Sequence, residues 1–216
     1  MIELLVKSVL CYLLGSLVGS LIVGRLRGGV DIRTLGSGNA GGTNALRTQG
    51  KSFALAVMVI DVGKGFLATR AIPQLDLAFL PAASSLWREW IPAVCGIAAV
   101  IGHVYPLWYG FRGGKGAATL VGALLGFGLW LLVPVLLTWL IVVVVFGFVS
   151  AGSMAAALSV PLIVLWSGME PMEPLLTFGV AIGLLVLFTH RSNIARIIGG
   201  TEPRARSLWL FGRGRA

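Results

Sequence analysis

Between Gly36 and Arg47 the chain reads Gly-Ser-Gly-Asn-Ala-Gly-Gly-Thr-Asn-Ala-Leu-Arg. These residue types suit the binding of anionic oxygens. Glycines expose backbone N–H groups and tolerate positive φ, so such a run can wrap closely around an anion. Ser37, Asn39, Thr43 and Asn44 add short neutral donors, and Arg47 adds a planar fork that matches phosphate or carboxylate. No carboxylate interrupts the run. Gly36, Gly38 and Gly41 also fit the GxGxxG dinucleotide fingerprint, and Asp61 lies twenty residues beyond. That motif needs a preceding strand and a βαβ unit, whereas an apolar span precedes it here, so the dinucleotide reading is rejected. A plain interhelical turn would explain the glycines but not the Ser, Asn, Thr and Arg beside them.

Four further clusters carry polar groups. Asp61 and Lys64 stand at i and i+3 within an apolar helix, where they share a face and can neutralise each other. An internal ion pair and direct substrate contact are both open, and neither residue is assigned a catalytic role. Gly113-Gly114-Lys115-Gly116 repeats the anion-cradle chemistry around an ammonium. It is not a Walker loop, because Tyr109 stands where the leading Gly belongs and Gly116 follows the Lys where Ser or Thr belongs. Arg112 and Lys115 could instead anchor a helix end by snorkelling, but three glycines around the Lys favour phosphate. Ser150-Ala151-Gly152-Ser153 reads as a turn and helix N-cap that could lend hydroxyls to the same site. Last, Thr189-His190-Arg191-Ser192-Asn193 opens a basic segment in which Arg191 and Arg196 suit an inner-leaflet anchor, while His190 and Asn193 are not needed for one.

The elements that position these groups are membrane helices. Of 216 residues, 57% are hydrophobic and 12% charged, against about 25% charged in soluble domains, and mean hydropathy is +0.93. The expected fold is an all-α polytopic bundle of about seven transmembrane helices, near 3–24, 52–72, 91–108, 117–132, 134–149, 153–168 and 174–190. The charge-free run Ala117–Val149 is too long for one span, and Pro134 is the expected break. One junction face then collects Arg25, Arg27, Arg33, Arg47, Lys51, Arg112, Lys115, Arg191, Arg196, Arg204, Arg206, Arg213 and Arg215. The opposite face has Arg70 and Arg88 with Asp76, Glu89, Glu170 and Glu173. The positive-inside rule puts the first face, and the C-terminus, in the cytoplasm and the N-terminus outside. Residues 1–203 are expected to form one transmembrane domain and 204–216 a basic cytoplasmic tail. The pairs Gly15/Gly19, Gly122/Gly126 and Gly179/Gly183 suit close helix packing in lipid. Cys11 and Cys95 lie in apolar runs and read as small core residues. The start Met1-Ile2-Glu3-Leu4-Leu5 lacks a basic n-region and reads as a retained first span.

The set of motifs resembles the bacterial PlsY family of integral-membrane glycerol-3-phosphate acyltransferases. It comprises Ser-Gly-Asn-x-Gly-x-Thr-Asn-x-x-Arg, Asp-x-x-Lys-Gly, Gly-His-x-x-Pro with Gly-Gly-Lys-Gly, His-Arg-x-Asn-Ile and Gly-Thr-Glu, in that order over nearly the whole chain. Gly42 stands where the family commonly has Ala. The resemblance implies acyl transfer from acyl-phosphate to the 1-hydroxyl of glycerol 3-phosphate, giving lysophosphatidic acid and phosphate, in the bacterial cytoplasmic membrane. It implies a substrate site of Ser37, Asn39, Thr43, Asn44, Arg47, Gly114, Lys115, Ser150, His190 and Asn193. Lys115, Arg47, His190 and Asn193 would be closest to the chemistry. It implies no metal and no cofactor. The partners are the two substrates and membrane lipids, not nucleic acid, and the sequence carries no signal for oligomeric state, with which a monomer is compatible.

The residues agree with this chemistry independently. Two anionic substrates call for many donors and few acids, and an acyl-phosphate already carries a good leaving group, which leaves positioning and charge stabilisation to the protein. Bases are scarce on the basic face: Asp31, Glu202 and the two histidines. Neither His103 nor His190 is followed four residues later by Asp, so the dyad of other glycerolipid acyltransferases is missing. A phosphate oxygen of the donor is the expected proton acceptor, with His190 as runner-up base. The rival function, a transporter of phosphate or small organic anions, would place polar groups near the midplane and often show a two-fold repeat. An alcohol phosphotransferase would need a carboxylate-rich metal site.

Overall fold

Long charge-poor runs fold as helices, and no strand occurs among the described residues, 1–78 and 83–212, of the computed structural model. Lipid allows little else, because a helix satisfies its backbone within one segment. Arg213 and Arg215 of the expected tail lie outside the described residues. The helices group into two compact units, Met1–Gly128 and Leu129–Ala216.

The first unit contains α1 (Ile2–Gly15), α2 (Gly19–Leu26), α3 (Gly42–Gln49), α4 (Lys51–Phe66), α5 (Ser85–Val104) and α6 (Ala117–Phe127). A π turn, Leu67–Ala71, and a 3-10 turn, Ile72–Gln74, prolong α4. The second unit contains α7 (Leu129–Phe146), α8 (Val149–Ser167), α9 (Met172–Thr189) and the short α10 (Arg191–Ile198).

Five helical segments are long and apolar enough to cross a membrane, and a sixth span results if α1 and α2, bent by 45°, count as one. The fourth expected span, 117–132, is cut short. α6 has 11 residues, which at 1.5 Å each reach about 17 Å of a core about 30 Å thick. The expected break at Pro134 is also corrected: Pro134 lies inside α7, and the chain breaks at Gly128. Gly128 adopts φ 132° and ψ 163°, a backbone region closed to residues with a Cβ, so it stops a helix more sharply than a proline can. Pro134 sits in the second turn of α7, where the missing N–H costs only one intrahelical bond.

The small-residue pairs pack as expected. A Cβ at Gly15 would strike the Ala99 carbonyl of α5, one at Gly122 the Val62 carbonyl of α4, and one at Gly179 would stand 2.9 Å from the Pro161 nitrogen of α8. Cys11 and Cys95 are free and buried.

Candidate active site

The break between α1 and α2 strands backbone groups in the interior of the first unit. Val18, at the start of α2, offers no side-chain cap. Two charges on α4 supply what is missing. Lys64 Nζ donates to the carbonyls of Gly15 and Leu17, both at 2.9 Å, and Asp61 Oδ1 accepts the Gly19 N–H at 3.0 Å. The ammonium therefore meets the negative end of α1 and the carboxylate the positive end of α2. The two are paired at 2.9 Å, with side-chain exposures of 2% and 0%. Of the two possibilities open for Asp61 and Lys64, the geometry supports the internal ion pair.

His103 completes this cluster. Its Nδ1 lies 2.8 Å from Lys64 Nζ and 3.3 Å from Asp61 Oδ1. Nδ1 accepts from the ammonium in one tautomer and donates to the carboxylate in the other. Buried and engaged by Lys64, His103 is removed from the candidate bases. Among the described residues, Asp61 Oδ2 and Thr119 Oγ1 are buried without a hydrogen-bond partner.

The expected anion cradle has two parts. Gly36–Gly41 is irregular, whereas Gly42–Gln49 is helix α3, so Thr43, Asn44 and Arg47 project from a helix. Asn44 is buried and holds the loop closed. Its amide nitrogen donates to the carbonyls of Ile32, Leu35 and Asn39, each at 3.0 Å, and its oxygen accepts the Ser37 N–H at 3.0 Å. Gly36, with φ +55°, could not carry a side chain, because a Cβ would strike the Asn44 oxygen. The side chains of Ser37, Thr43 and Arg47 are exposed and Asn39 is half-buried. Arg47 makes no ion pair or side-chain hydrogen bond among the described residues.

The second loop leaves α5 and folds back onto it. Gly113 N–H donates to Val104 O and Gly114 N–H to His103 O, both at 3.1 Å. A Cβ at Gly114 would collide with His103 Nε2, and one at Gly113 with the His103 carbonyl. These glycines thus have a packing reason. Lys115, half-buried, directly precedes the Gly116 cap of α6. Arg33 joins the two loops: its Nε and Nη2 grip Asp31, while Nη1 donates to the carbonyls of Tyr109 at 3.1 Å and Arg112 at 2.9 Å. Hydrogen bonding to the guanidinium holds the Asp31 carboxyl below the usual aspartate range.

In the second unit, Ser150, His190 and Asn193 are all buried at one end, where α8 begins and α9 ends. Glu202 gathers Ser150 and Asn193. Its Oε1 accepts from Ser150 Oγ and Asn193 Nδ2, both at 2.6 Å, and its Oε2 accepts from Arg196 Nε at 2.7 Å. Burial pushes this carboxyl up, but the three hydrogen bonds outweigh it and hold it below the ordinary glutamate value. His190 Nδ1 lies 2.9 Å from the Val186 carbonyl, which can only accept, so the proton sits on Nδ1 and Nε2 is the basic nitrogen.

A family profile described as glycerol-3-phosphate acyltransferase matches residues 5–200. A glycerol-3-phosphate acyltransferase of Gluconobacter oxydans (strain 621H) is 41% identical over 210 residues, covering 94% of each chain. One of Synechococcus sp. (strain CC9902) is 38% identical over 193 residues, covering 89% of this chain and 90% of its own. The chain belongs to the glycerol-3-phosphate acyltransferase family. The fold agrees: the crystal structure of PlsY (YgiH), an integral membrane glycerol 3-phosphate acyltransferase, in its glycerol 3-phosphate form is 33% identical, with a TM-score of 0.79 over 93% of this chain and 94% of that one. Its lysophosphatidic acid form gives a TM-score of 0.78. Membership makes the chain a membrane-embedded acyltransferase.

Sequence reasoning missed two anchors in this acyltransferase. Arg33 was only one of many basic-face charges, although its spacing from Asp31 hints at a local pair. Glu202 stood only as a candidate base, and its clamp on Ser150, 52 residues away, has no local signature.

Proposed function

We propose that the chain moves a fatty acyl group from acyl-phosphate to the 1-hydroxyl of glycerol 3-phosphate, releasing lysophosphatidic acid and inorganic phosphate. Arg47 carries the argument: an exposed guanidinium with no ion pair or side-chain hydrogen bond among the described residues, on a helix held by the buried Asn44, is poised for an anion. Lys115 follows in the adjoining loop of the same unit, and Ser37, Asn39, Thr43 and Gly114 add neutral donors. Asn44 acts as a positioning residue. In the second unit, Ser150 and Asn193, both held by Glu202, and the buried His190 are assigned to substrate binding. Residues 1–203 constitute one acyltransferase domain in the bacterial cytoplasmic membrane, with the basic loops facing the cytoplasm and the N-terminus outside.

In the reaction the glycerol oxygen forms a bond to the acyl carbon, the bond from that carbon to the phosphate oxygen breaks, and phosphate leaves. A phosphate oxygen of the donor takes the hydroxyl proton. Both acids near the motifs are already committed, Asp31 to Arg33 and Glu202 to three donors, which supports substrate assistance. One observation favours a second mechanism, in which His190 Nε2, its tautomer fixed through Nδ1, takes the proton. Single-turnover transfer in a His190→Ala variant at saturating substrate separates the two: a normal rate removes His190 as the base, and a fall of about 100-fold or more supports it. The reaction itself is tested with purified protein in detergent, acyl-phosphate and labelled glycerol 3-phosphate, without any thioester. Labelled lysophosphatidic acid is the expected product. Product formed only from a thioester donor would overturn the donor assignment, and anion uptake without product would favour transport.

A further inference from the structure

Beyond the last motif the chain reads Arg204-Ala-Arg206-Ser-Leu-Trp-Leu-Phe-Gly-Arg213-Gly-Arg215, with four arginines and no acid. The matched family profile stops at residue 200, so this segment lies outside the part that defines the family. It is nonetheless docked. Ala205 N–H donates to the Gly147 carbonyl at 2.7 Å, and the chain from there turns through Leu208 and Trp209, whose N–H groups return to the Ala205 carbonyl. The Arg204 guanidinium lies 4.8 Å from the Phe148 ring and 4.0 Å from the Trp209 ring, between the two. Gly147, at φ +81°, is bare where Trp209 packs: a Cβ there would stand 2.9 Å from the indole Cγ.

The place of docking decides what this segment meets. Phe146 ends α7 and Val149 starts α8, so the segment sits on the junction of two membrane-length helices, at the level where the apolar core of the bilayer gives way to headgroups. Leu208, Leu210 and Phe211 are exposed there at 42%, 60% and 67%. Arg206 is exposed and makes no ion pair among the described residues. Exposed apolar groups beside unpaired arginines, with an indole between them, match the two layers of an anionic membrane surface: acyl chains below and negative headgroups above. We propose that residues 204–212 form a docked strap that binds anionic phospholipid headgroups at the edge of the second unit. Net charge alone would give a loose basic tail; the Gly147–Trp209 contact and the stacked Arg204 hold the apolar and cationic groups in one fixed surface.

The test uses the full chain with a spin label at Ser207→Cys, since Cys11 and Cys95 are buried and do not compete for the label. The protein is placed in nanodiscs of phosphatidylcholine alone, or with about one-third phosphatidylglycerol. Accessibility of the label to a water-soluble nickel chelate is expected to fall several-fold in the anionic discs and to recover at high salt. The variant R204Q/R206Q should lose most of that difference. R206Q alone, which breaks no ion pair or side-chain hydrogen bond among the described residues, should lose part of it and keeps the test valid if the double variant misfolds. Equal accessibility in both lipids, or a difference that R206Q leaves untouched, overturns the proposal. Acyl transfer is not the readout, so the result is independent of the proposed reaction.

Discussion

Under the α1–α2 break, each charged group is bound to another part of the protein: Lys64 to two carbonyls, Asp61 to an N–H, and both to each other and to His103. On α3, only a loop away, Arg47 is exposed and has no ion pair or side-chain hydrogen bond among the described residues. Both regions carry cations within recognisable motifs, yet they answer to different physics. A charge inside the bundle is tolerated only where fixed dipoles and a counter-charge replace water. A charge at the surface costs nothing to leave unpaired and stays available to a ligand. The contrast separates motif residues that build the site from those that fill it, and it can be tested at each end.

The largest effect is expected from Lys64→Met. It leaves Asp61 buried without its cation and two helix-end carbonyls unpaired, a loss of about 3–5 kcal/mol, read as a large drop in thermal unfolding temperature in detergent. Asp61→Asn with Lys64→Met should recover part of it. If Lys64→Met melted normally but failed to bind glycerol 3-phosphate, the buried cluster would belong to the substrate instead.

Asn44→Ala comes next. Removing an amide that bonds four backbone groups should cost about 1–3 kcal/mol and lower kcat/KM by loosening the α3 loop. A normal melting temperature with only a raised KM would make Asn44 a ligand rather than a brace.

The smallest expected effect is a pH dependence. The folded Glu202 carboxyl is held below its unfolded value, so the folded state binds fewer protons there and gains stability above that unfolded value, about 4.3. This contribution is lost as pH falls through the folded value. Thermal melts of the wild type should therefore lose stability on acidification faster than those of Glu202→Gln, and parallel curves would contradict the clamp on Ser150 and Asn193.

Much of this was legible in the sequence. Hydropathy located most of the helices, and the types between Gly36 and Arg47 marked Arg47 as a donor for an anion. Pro134 misled because a proline near a helix start is tolerated, while the decisive Gly128 looks like any other glycine in a run that includes Gly122 and Gly126. The cradle was read as a loop throughout, yet Thr43 to Arg47 form a helix that Asn44 ties to the preceding turn. The work of Asp61 on Gly19 and of Glu202 on Ser150 joins residues 42 and 52 positions apart, beyond any local periodicity. Glycines expected to cradle phosphate, Gly113 and Gly114, are also required by the close approach of His103.

The most direct test is Arg47→Ala, assayed for single-turnover acyl transfer from acyl-phosphate and for thermal unfolding in the same preparation. An exposed, unpartnered cation that serves only the substrate should leave the melting temperature unchanged while transfer falls about 100-fold or more. Full transfer in the variant, or a loss of transfer that follows a loss of fold, would contradict the division between the residues that build this site and those that bind.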